Sequence, residues 1–584
     1  MYSFAVWAPF AHLVELEISG RRSAMARGES GWWVAEVASA GPGTDYAFAI
    51  DGGEPIPDPR SNWQPHGVSG PSRVVDHAAF RWTDQRWQPR PLSAAVVYEL
   101  HVGTFTPAGT FNSTVERLPD LVELGITCIE LMPVIEFGGD RGWGYDGVDL
   151  YAPHHAYGGP QDLKRLVDAC HSRGLAVILD VVYNHLGPAG NYLDRFGPYF
   201  STRHTTPWGP AINFDGAESD QVRRFFCDNA LMWLRDYHFD GLRLDAVHAI
   251  IDTSALHFLE QLACEVADLE AQTGRHFFLT AESDLNDPRL ISPREIGGYG
   301  LGAQWNDDFH HALHVTLTGE QEGYYSDFRP LSDLAKALTK GFVYDHRYSV
   351  FRRRHHGRPR VAVSGHSLLG YMQNHDQIGN RAKGERSSHL LNSGRLKVAA
   401  ALVLTAPFVP MLFQGEEWGA SSPFLYFTDH EDLELGHAIS EGRRREFAAF
   451  GWKPEELPDP QQRETFERSK LNWTERYEEP YASILAWHKD LIKLRREIPG
   501  LTNGRLDQVD VRFDEAAKWL IVQRGSLLIA CNLNQTAKCL PITVNSESTL
   551  LLVSDDKAEL SAGGLHLPPD SVAIIRTGSC SSVK

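Results

Sequence analysis

Between residues 93 and 500 the chain repeats one unit, a short apolar run followed by a longer segment with apolar residues at helical spacing. Strands are expected over 96–100, 126–132, 176–182, 241–247, 276–282, near 302–305, near 369–373 and over 408–413. Helices are expected over 114–124, 161–173, 221–237, 254–272, 393–405 and 481–497. Strand-then-helix repetition requires parallel strands joined by right-handed crossovers. About eight such strands over some 400 residues point to a closed (β/α)8 barrel, with an open doubly wound sheet as the alternative. The segments 138–160 and 418–480 read as long strand-to-helix loops, which inside a compact domain are usually functional or disordered.

The ends have a different texture. Val14, Leu16 and Ile18 alternate with Glu15 and Glu17, the period of a half-buried strand. Residues 1–90 therefore read as an N-terminal immunoglobulin-like β-sandwich plus a linker, the stretch 58–91 being rich in Pro, Trp and Arg. Strands return after 500, with Trp519–Val522, Leu527–Ala530 and Val572–Ile575 separated by turn residues. The expected organisation is multidomain: a central (β/α)8 TIM barrel over 91–500, flanked by β-sandwich domains at 1–90 and 501–584.

Composition removes several classes. Hydrophobic residues are 42% and charged residues 22%, which excludes wholesale disorder. A net charge of −19 argues against nucleic acid and anionic membranes as partners, and Arg352-Arg353-Arg354 is only a short basic run. The longest apolar run, 398–413, is broken by Pro407 and Pro410 and is too short to span a bilayer. The N-terminus has no basic n-region, so no signal peptide is expected. Seven scattered cysteines, Cys580 among them, form no CxxC pair and suggest reduced thiols in a cytoplasm. His310 and His314 are four apart but have no third ligand in view, and no cluster of oxygen ligands compels calcium, so no metal is expected. Gly297–Gly302 does not open a helix after a strand, so no dinucleotide cofactor is expected either.

Catalytic groups of such barrels sit at the C-terminal ends of the strands. Four ends carry polar residues: Asp180–His185, Arg243–His248, Glu282-Ser283 and Asn374-His375-Asp376. Arg243 and Asp245 are two apart and share one face of a strand. An Arg beside an Asp lowers the carboxyl's pKa by roughly 1–3, which would keep Asp245 ionised and suited to nucleophilic attack. Glu282 closes an apolar strand, where desolvation raises a carboxyl toward about 6 and suits a general acid. Three carboxylates on one mouth suit glycosidic bond cleavage.

These four segments, in this order, resemble the four signature regions of the α-amylase family of retaining glycosidases. The resemblance implies Asp245 as nucleophile, Glu282 as acid/base and Asp376 as transition-state stabiliser. It implies Arg243, His185 and His375 as supports around the cleaved sugar, and Tyr145, in Trp143–Gly147, as a stacking aromatic. Asp146, His248 and Asp284 are further substrate-binding candidates. Phe4–Pro9 resembles the start of the N-terminal sandwich of branching, debranching and trehalose-releasing members, and Thr206–Gly209, Ile212–Gly216, Gln377–Ala382, Phe413–Gly419, Phe427–His430 and Gly451-Trp452 are similar to the trehalose-releasing members. That kinship implies hydrolysis of an α-1,4-glucan next to a terminal trehalose, without cofactor. A glucan-branching transferase is the alternative, and a non-catalytic carbohydrate-binding barrel the second. Trp143, Trp208 and Trp418 are candidates for stacking on sugars, while His355-His356 reads as a solvated loop and Asp287 as a turn residue. Oligomeric state is not legible from the sequence.

Overall fold

Eight parallel strands close into a barrel in the computed structural model. We number them β1 (Val97–Leu100), β2 (Cys128–Leu131), β3 (Ala176–Val181), β4 (Gly241–Leu244), β5 (Phe278–Ala281), β6 (Ala303–Trp305), β7 (Leu368–Gly370) and β8 (Val409–Phe413). They follow one another around the barrel in chain order, β8 pairing with β1, so the doubly wound alternative is excluded. The structure describes residues 1–359, 364–448, 453 and 457–578. Cys580 and Gly451-Trp452 lie outside the described residues.

The strands are buried on both faces, as parallel strands covered by helices must be. The barrel interior is nevertheless partly polar. Register sets Glu99 beside Glu130, Asp180 beside Arg243, and Arg243 beside Thr280. Residues paired across parallel strands point the same way, so β3 and β4 bring an acid and a base to one level of the interior.

The long helices form where the apolar spacing places them. Pro160–His171 opens with Pro at its first turn, where the missing N–H costs nothing, and Asp162 accepts the Gly159 N–H at 3.1 Å. Tyr481–Glu497 buries Ile484, Trp487, Leu491 and Ile492. Its Arg495 is buried too, donating to the carbonyls of Leu404, Ala406 and Phe408 at 2.9, 3.1 and 2.8 Å. It thereby satisfies carbonyls left open where the helix Ser393–Thr405 ends.

A three-stranded and a four-stranded antiparallel sheet precede the barrel, packed around Phe4, Val6, Val14, Leu16 and Phe48. A five-stranded and a three-stranded sheet follow it, around Ile521, Leu528, Leu540, Leu565 and Ile575. The Pro-rich stretch between the first sandwich and the barrel is packed down, Trp87 Nε1–H reaching Asp240 Oδ1 at 2.8 Å.

Two expected loops contain regular structure. The segment 138–160 contains the strand Gly147–Pro153, which pairs with Ile135–Phe137 just before the segment. Every residue of 147–153 is buried, so no alternation betrays the strand. The region 418–480 contains helices Leu433–Ala448 and Arg463–Arg468. Between β6 and β7 the chain adds helices Asp307–Thr318 and Pro330–Lys340 and a hairpin, Arg347–Ser349 with Arg354–His356. Among the described residues, no helix is long and apolar enough to cross a membrane.

Candidate active site

The site is built around one buried cation. Arg243 is fully buried on β4, and its Nη1 donates to both oxygens of Asp180 at 2.8 and 2.6 Å. The same Nη1 reaches Asp245 Oδ1 at 3.0 Å, and Nη2 lies 3.0 Å from Glu282 Oε2. Trp305, on β6, packs under the guanidinium with 4.1 Å from Cζ to the ring centroid. A single planar fork thus gathers the ends of β3, β4 and β5, which a Lys could not do.

Asp245 and Glu282 each follow directly on their strand. Between Asp245 and Val247, Ala246 takes a left-handed conformation with φ 37°. That turn aims its N–H at Glu282 Oε2, 2.7 Å away, while the Val247 N–H bonds the Glu282 carbonyl at 3.0 Å. Positive φ is costly for a residue with a Cβ, and such strain collects at functional sites.

Burial raises the pKa of Asp245; Arg243 opposes it, and the neighbouring Asp180 and Asp376 push further up. The expectation that Arg243 holds Asp245 low is therefore overturned. Burial is the largest cause and outweighs the guanidinium, which Asp180 takes through both oxygens while Asp245 has one contact. Glu282 is also raised, by burial first, against Arg243 and with Asp245 adding.

The β7 end supplies the opposite wall. Asn374 caps the short helix His375–Gly379, its Oδ1 accepting the Asp376 N–H at 2.9 Å. Asp376 projects partly into solvent, with Asn380 Nδ2 donating to Oδ1 at 3.3 Å. His375 is buried, its Nδ1 2.5 Å from Glu99 Oε1 and its Nε2 3.6 Å from Asp376 Oδ1. Burial lowers its pKa, but Glu99 and Asp376 outweigh that and lift it to about 9, so it stays protonated at neutral pH. Tyr145 stacks on its ring at 5.1 Å and donates its OH to Asp180 Oδ2 at 2.6 Å.

The remaining expected residues line the rim. His185 stacks on Trp208 at 4.9 Å, and Trp208 is half exposed. Asp284 is paired with Arg352 at 2.5 Å. Burial pushes Asp284 up, but Arg352 and the exposed His248 pull it below the ordinary carboxylate range. Asp146 is partly exposed, 4.0 Å from His430 Nε2.

Some sequence readings change here. Arg352 is no free basic patch, because its hairpin carries it back to the mouth. His356 is not solvated; it is buried and its Nε2 lies 2.7 Å from the Asp284 carbonyl. Trp418 is fully buried with its N–H on Glu475 Oε1 at 3.0 Å, so no sugar can stack on it. Trp143 is buried as well, bonded to the Leu425 carbonyl. His310 and His314 are bonded to Met372 O and Tyr325 OH, and to Glu320, respectively. The sequence reading missed Glu99, which orients His375, and Asp307, which accepts the Tyr371 OH at 2.5 Å and which burial lifts to about 7. Glu99 could have been found, as an acid within the otherwise apolar strand Val97–Leu100. Asp307 opens a helix and reads as an ordinary N-terminal acid.

Glu416 follows β8, and burial lifts it to about 8. A carboxyl raised on folding stabilises fully below its unfolded pKa, near 4.5, and loses that contribution as pH rises through about 8. The melting temperature of the parent minus that of Glu416→Gln should therefore fall as pH goes from 6 to 9. A difference independent of pH would contradict a protonated Glu416.

The family model described as alpha amylase, catalytic domain, matches residues 76–203, and a domain of unknown function, DUF3459, matches 504–574. A malto-oligosyltrehalose trehalohydrolase from Rhizobium sp. (strain M-11) is 49% identical over 583 residues, covering 98% of this chain and 97% of the relative. The chain belongs to the malto-oligosyltrehalose trehalohydrolase family. A second trehalohydrolase, from Arthrobacter ramosus, is 50% identical over 578 residues, covering 98% of this chain and 99% of its own. A crystal structure from Salmonella typhimurium, provisionally named an alpha amylase, superposes with a TM-score of 0.90 at 40% identity, covering 98% and 97% of the two chains. A 1,4-alpha-glucan branching enzyme from Vibrio parahaemolyticus is 32% identical over 354 residues, 53% of this chain and 46% of that one. The trehalohydrolase kinship thus runs through both flanking sandwiches, and the branching-enzyme kinship does not.

Proposed function

We propose that this chain hydrolyses the α-1,4-glucosidic bond next to the terminal trehalose of a maltooligosyltrehalose, releasing trehalose with retention of configuration. The observation that carries the proposal is Arg243 holding Asp245 and Glu282 side by side at the barrel mouth. Two carboxyls so placed suit double displacement at an anomeric carbon.

Both side-chain contacts described for Glu282 fall on Oε2, so Oε1 is the oxygen that carries the proton to the leaving oxygen. Arg243 takes Asp245 Oδ1, so Oδ2 attacks. The bond from Asp245 to the anomeric carbon forms as the bond to the leaving oxygen breaks. Glu282, now ionised, then takes a proton from water, and water displaces Asp245. Asp376, on the facing wall, stabilises the oxocarbenium-like charge, and protonated His375 hydrogen-bonds a sugar hydroxyl. Tyr145 stacks on the sugar being cleaved, and Trp208 with His185 forms a second apolar platform on the rim. Asp146, His248 and Asp284 take polar contacts, Asp284 in its ionised form. We assign the chain to the cytoplasm, in line with six described cysteines that are all free thiols. We divide it into domains at 90/91 and 500/501.

The deciding experiment incubates the protein with maltooligosyltrehalose and, separately, with amylose, following products by NMR. Free trehalose from the first is expected. New 1,6 linkages in the second, without trehalose from the first, would assign branching instead. An inverted anomer at the newly formed reducing end would exclude the covalent mechanism.

The pH profile should be bell-shaped. Asp245 must be ionised and Glu282 protonated in the active form, and both are raised, so both limbs lie above the ordinary carboxylate range. The limbs report the coupled pair and not either residue alone. An acidic limb at or below pH ~4 would contradict the buried, shared guanidinium contact of Asp245.

A further inference from the structure

We propose that Glu136, His154 and His155 form a binding site for a transition-metal ion of the zinc type. It lies outside the catalytic carboxylates, at the base of the hairpin Ile135–Phe137/Gly147–Pro153 that extends β2.

One donor atom from each of the three lies within 4.8 Å of the others. Glu136 and His154 are fully buried, and the His155 side chain is about one quarter exposed. The His155 Nδ1 sits 2.7 Å from Glu136 Oε1, and the His154 Nδ1 sits 3.5 Å from Glu136 Oε2. Neither ring nitrogen of His154 has a hydrogen-bond partner. Its ring is stacked on Phe137 at 3.7 Å and stands edge-on to Tyr157, so it is fixed with one nitrogen toward the carboxylate. A buried imidazole with both nitrogens unpaired is costly. An ion between His154 and Glu136 would give the Nδ1 facing the carboxylate a partner.

The donor set selects the ion. Two imidazoles and one carboxylate suit zinc and its neighbours, not calcium or magnesium, which prefer all-oxygen shells. Tetrahedral ligands at about 2.0–2.2 Å from a zinc stand roughly 3.3 Å apart. The His154 contact, to Glu136 Oε2, is already close to that spacing; the His155 contact is to the other oxygen, Oε1, so the carboxylate or the His155 ring has to shift for one oxygen to serve with both imidazoles. Solvent can reach the partly exposed His155 side and supply the fourth ligand.

The surroundings match those of a ligating His. His155 Nε2 lies 3.2 Å from Asp140 Oδ1, an acceptor for the proton on the nitrogen that does not bind metal. The Glu136 carboxylate is itself oriented, accepting the His155 N–H at 2.7 Å. The ion would close the base of the loop 138–146, which carries Tyr145 and Asp146. The loop tip is separately held to Asp429 through the Asp140 N–H and Arg141. The metal therefore holds the loop and does not touch the sugar.

The full-length protein, stripped with EDTA and desalted, is titrated with ZnCl2 and, in a second series, CoCl2. Expected are one equivalent of tight zinc and the visible d–d absorption of four-coordinate cobalt, bleached by zinc. Zinc should also raise the melting temperature. His155→Asn, at the exposed edge, is expected to weaken binding at least about tenfold and to abolish the melting shift. His154→Gln should do the same, and the distant His314→Asn should not. Failure to take up an equivalent, or uptake unchanged in His155→Asn, overturns the site. Trehalose release by the metal-free protein does not bear on the result, so this test and the functional one fail independently.

Discussion

Replacing Asp245 by Asn is expected to lower trehalose release about 10⁴-fold or more while leaving the fold intact, as for other enzymes that lose a nucleophile. Asn keeps an oxygen to accept the Arg243 contact at Oδ1, so the buried guanidinium is not orphaned. What disappears is the charge that forms the covalent bond. Glu282→Gln removes the proton donor and the later base; a loss of about 10²–10⁴ is expected, larger for poor leaving groups. An activated aryl glycoside needs little protonation, so Glu282→Gln should retain more activity on it than Asp245→Asn does. The measurements are single-turnover release of trehalose and melting by circular dichroism. Activity within tenfold of the parent for Asp245→Asn would remove it from the nucleophile's role.

The second large effect concerns stability. Arg243→Leu should be strongly destabilising, at about 3–5 kcal/mol, the usual cost of leaving a buried charge without its partner. Here three acids lose their cation at once: Asp180, Asp245 and Glu282. The stack on Trp305 goes with it. Asp180 bears the largest share, since it is bound through both oxygens and buried. Adding Asp180→Asn to Arg243→Leu should therefore recover part of the lost stability, a coupling that a double-mutant cycle reads directly. Urea titration of the four proteins measures it. Strictly additive losses would show that Asp180 and Arg243 do not depend on one another.

Much of the fold was legible because strand and helix periods differ. The helix 481–497 was read at the bounds the structure has, since its apolar face is regular. The strands over 176–182 and 408–413 were found because short apolar runs alternating with helical segments suit buried parallel strands. The hairpin at 147–153 was missed for the same physics in reverse. Buried on both sides and interrupted by Asp149, it has neither alternation nor a clean apolar run.

The residue pattern alone determined that Arg243 and Asp245 share a strand face, that Glu282 ends its strand and that Asp376 lies at the end of the seventh strand. These are local facts, carried by spacings of a few residues. Only the tertiary structure decided how deeply Asp245 is buried and how one guanidinium is divided among Asp180, Asp245 and Glu282, and burial above all reverses the expected pKa direction of Asp245. Only the hairpin after the β6 insertion turns Arg352 from a surface charge into the partner of Asp284. Only the packing of 135–155 faces Glu136 with two histidines. Charge and metal chemistry depend on distances of a few ångströms between residues far apart in the chain. Periodicity reports which way a side chain points, not what it meets.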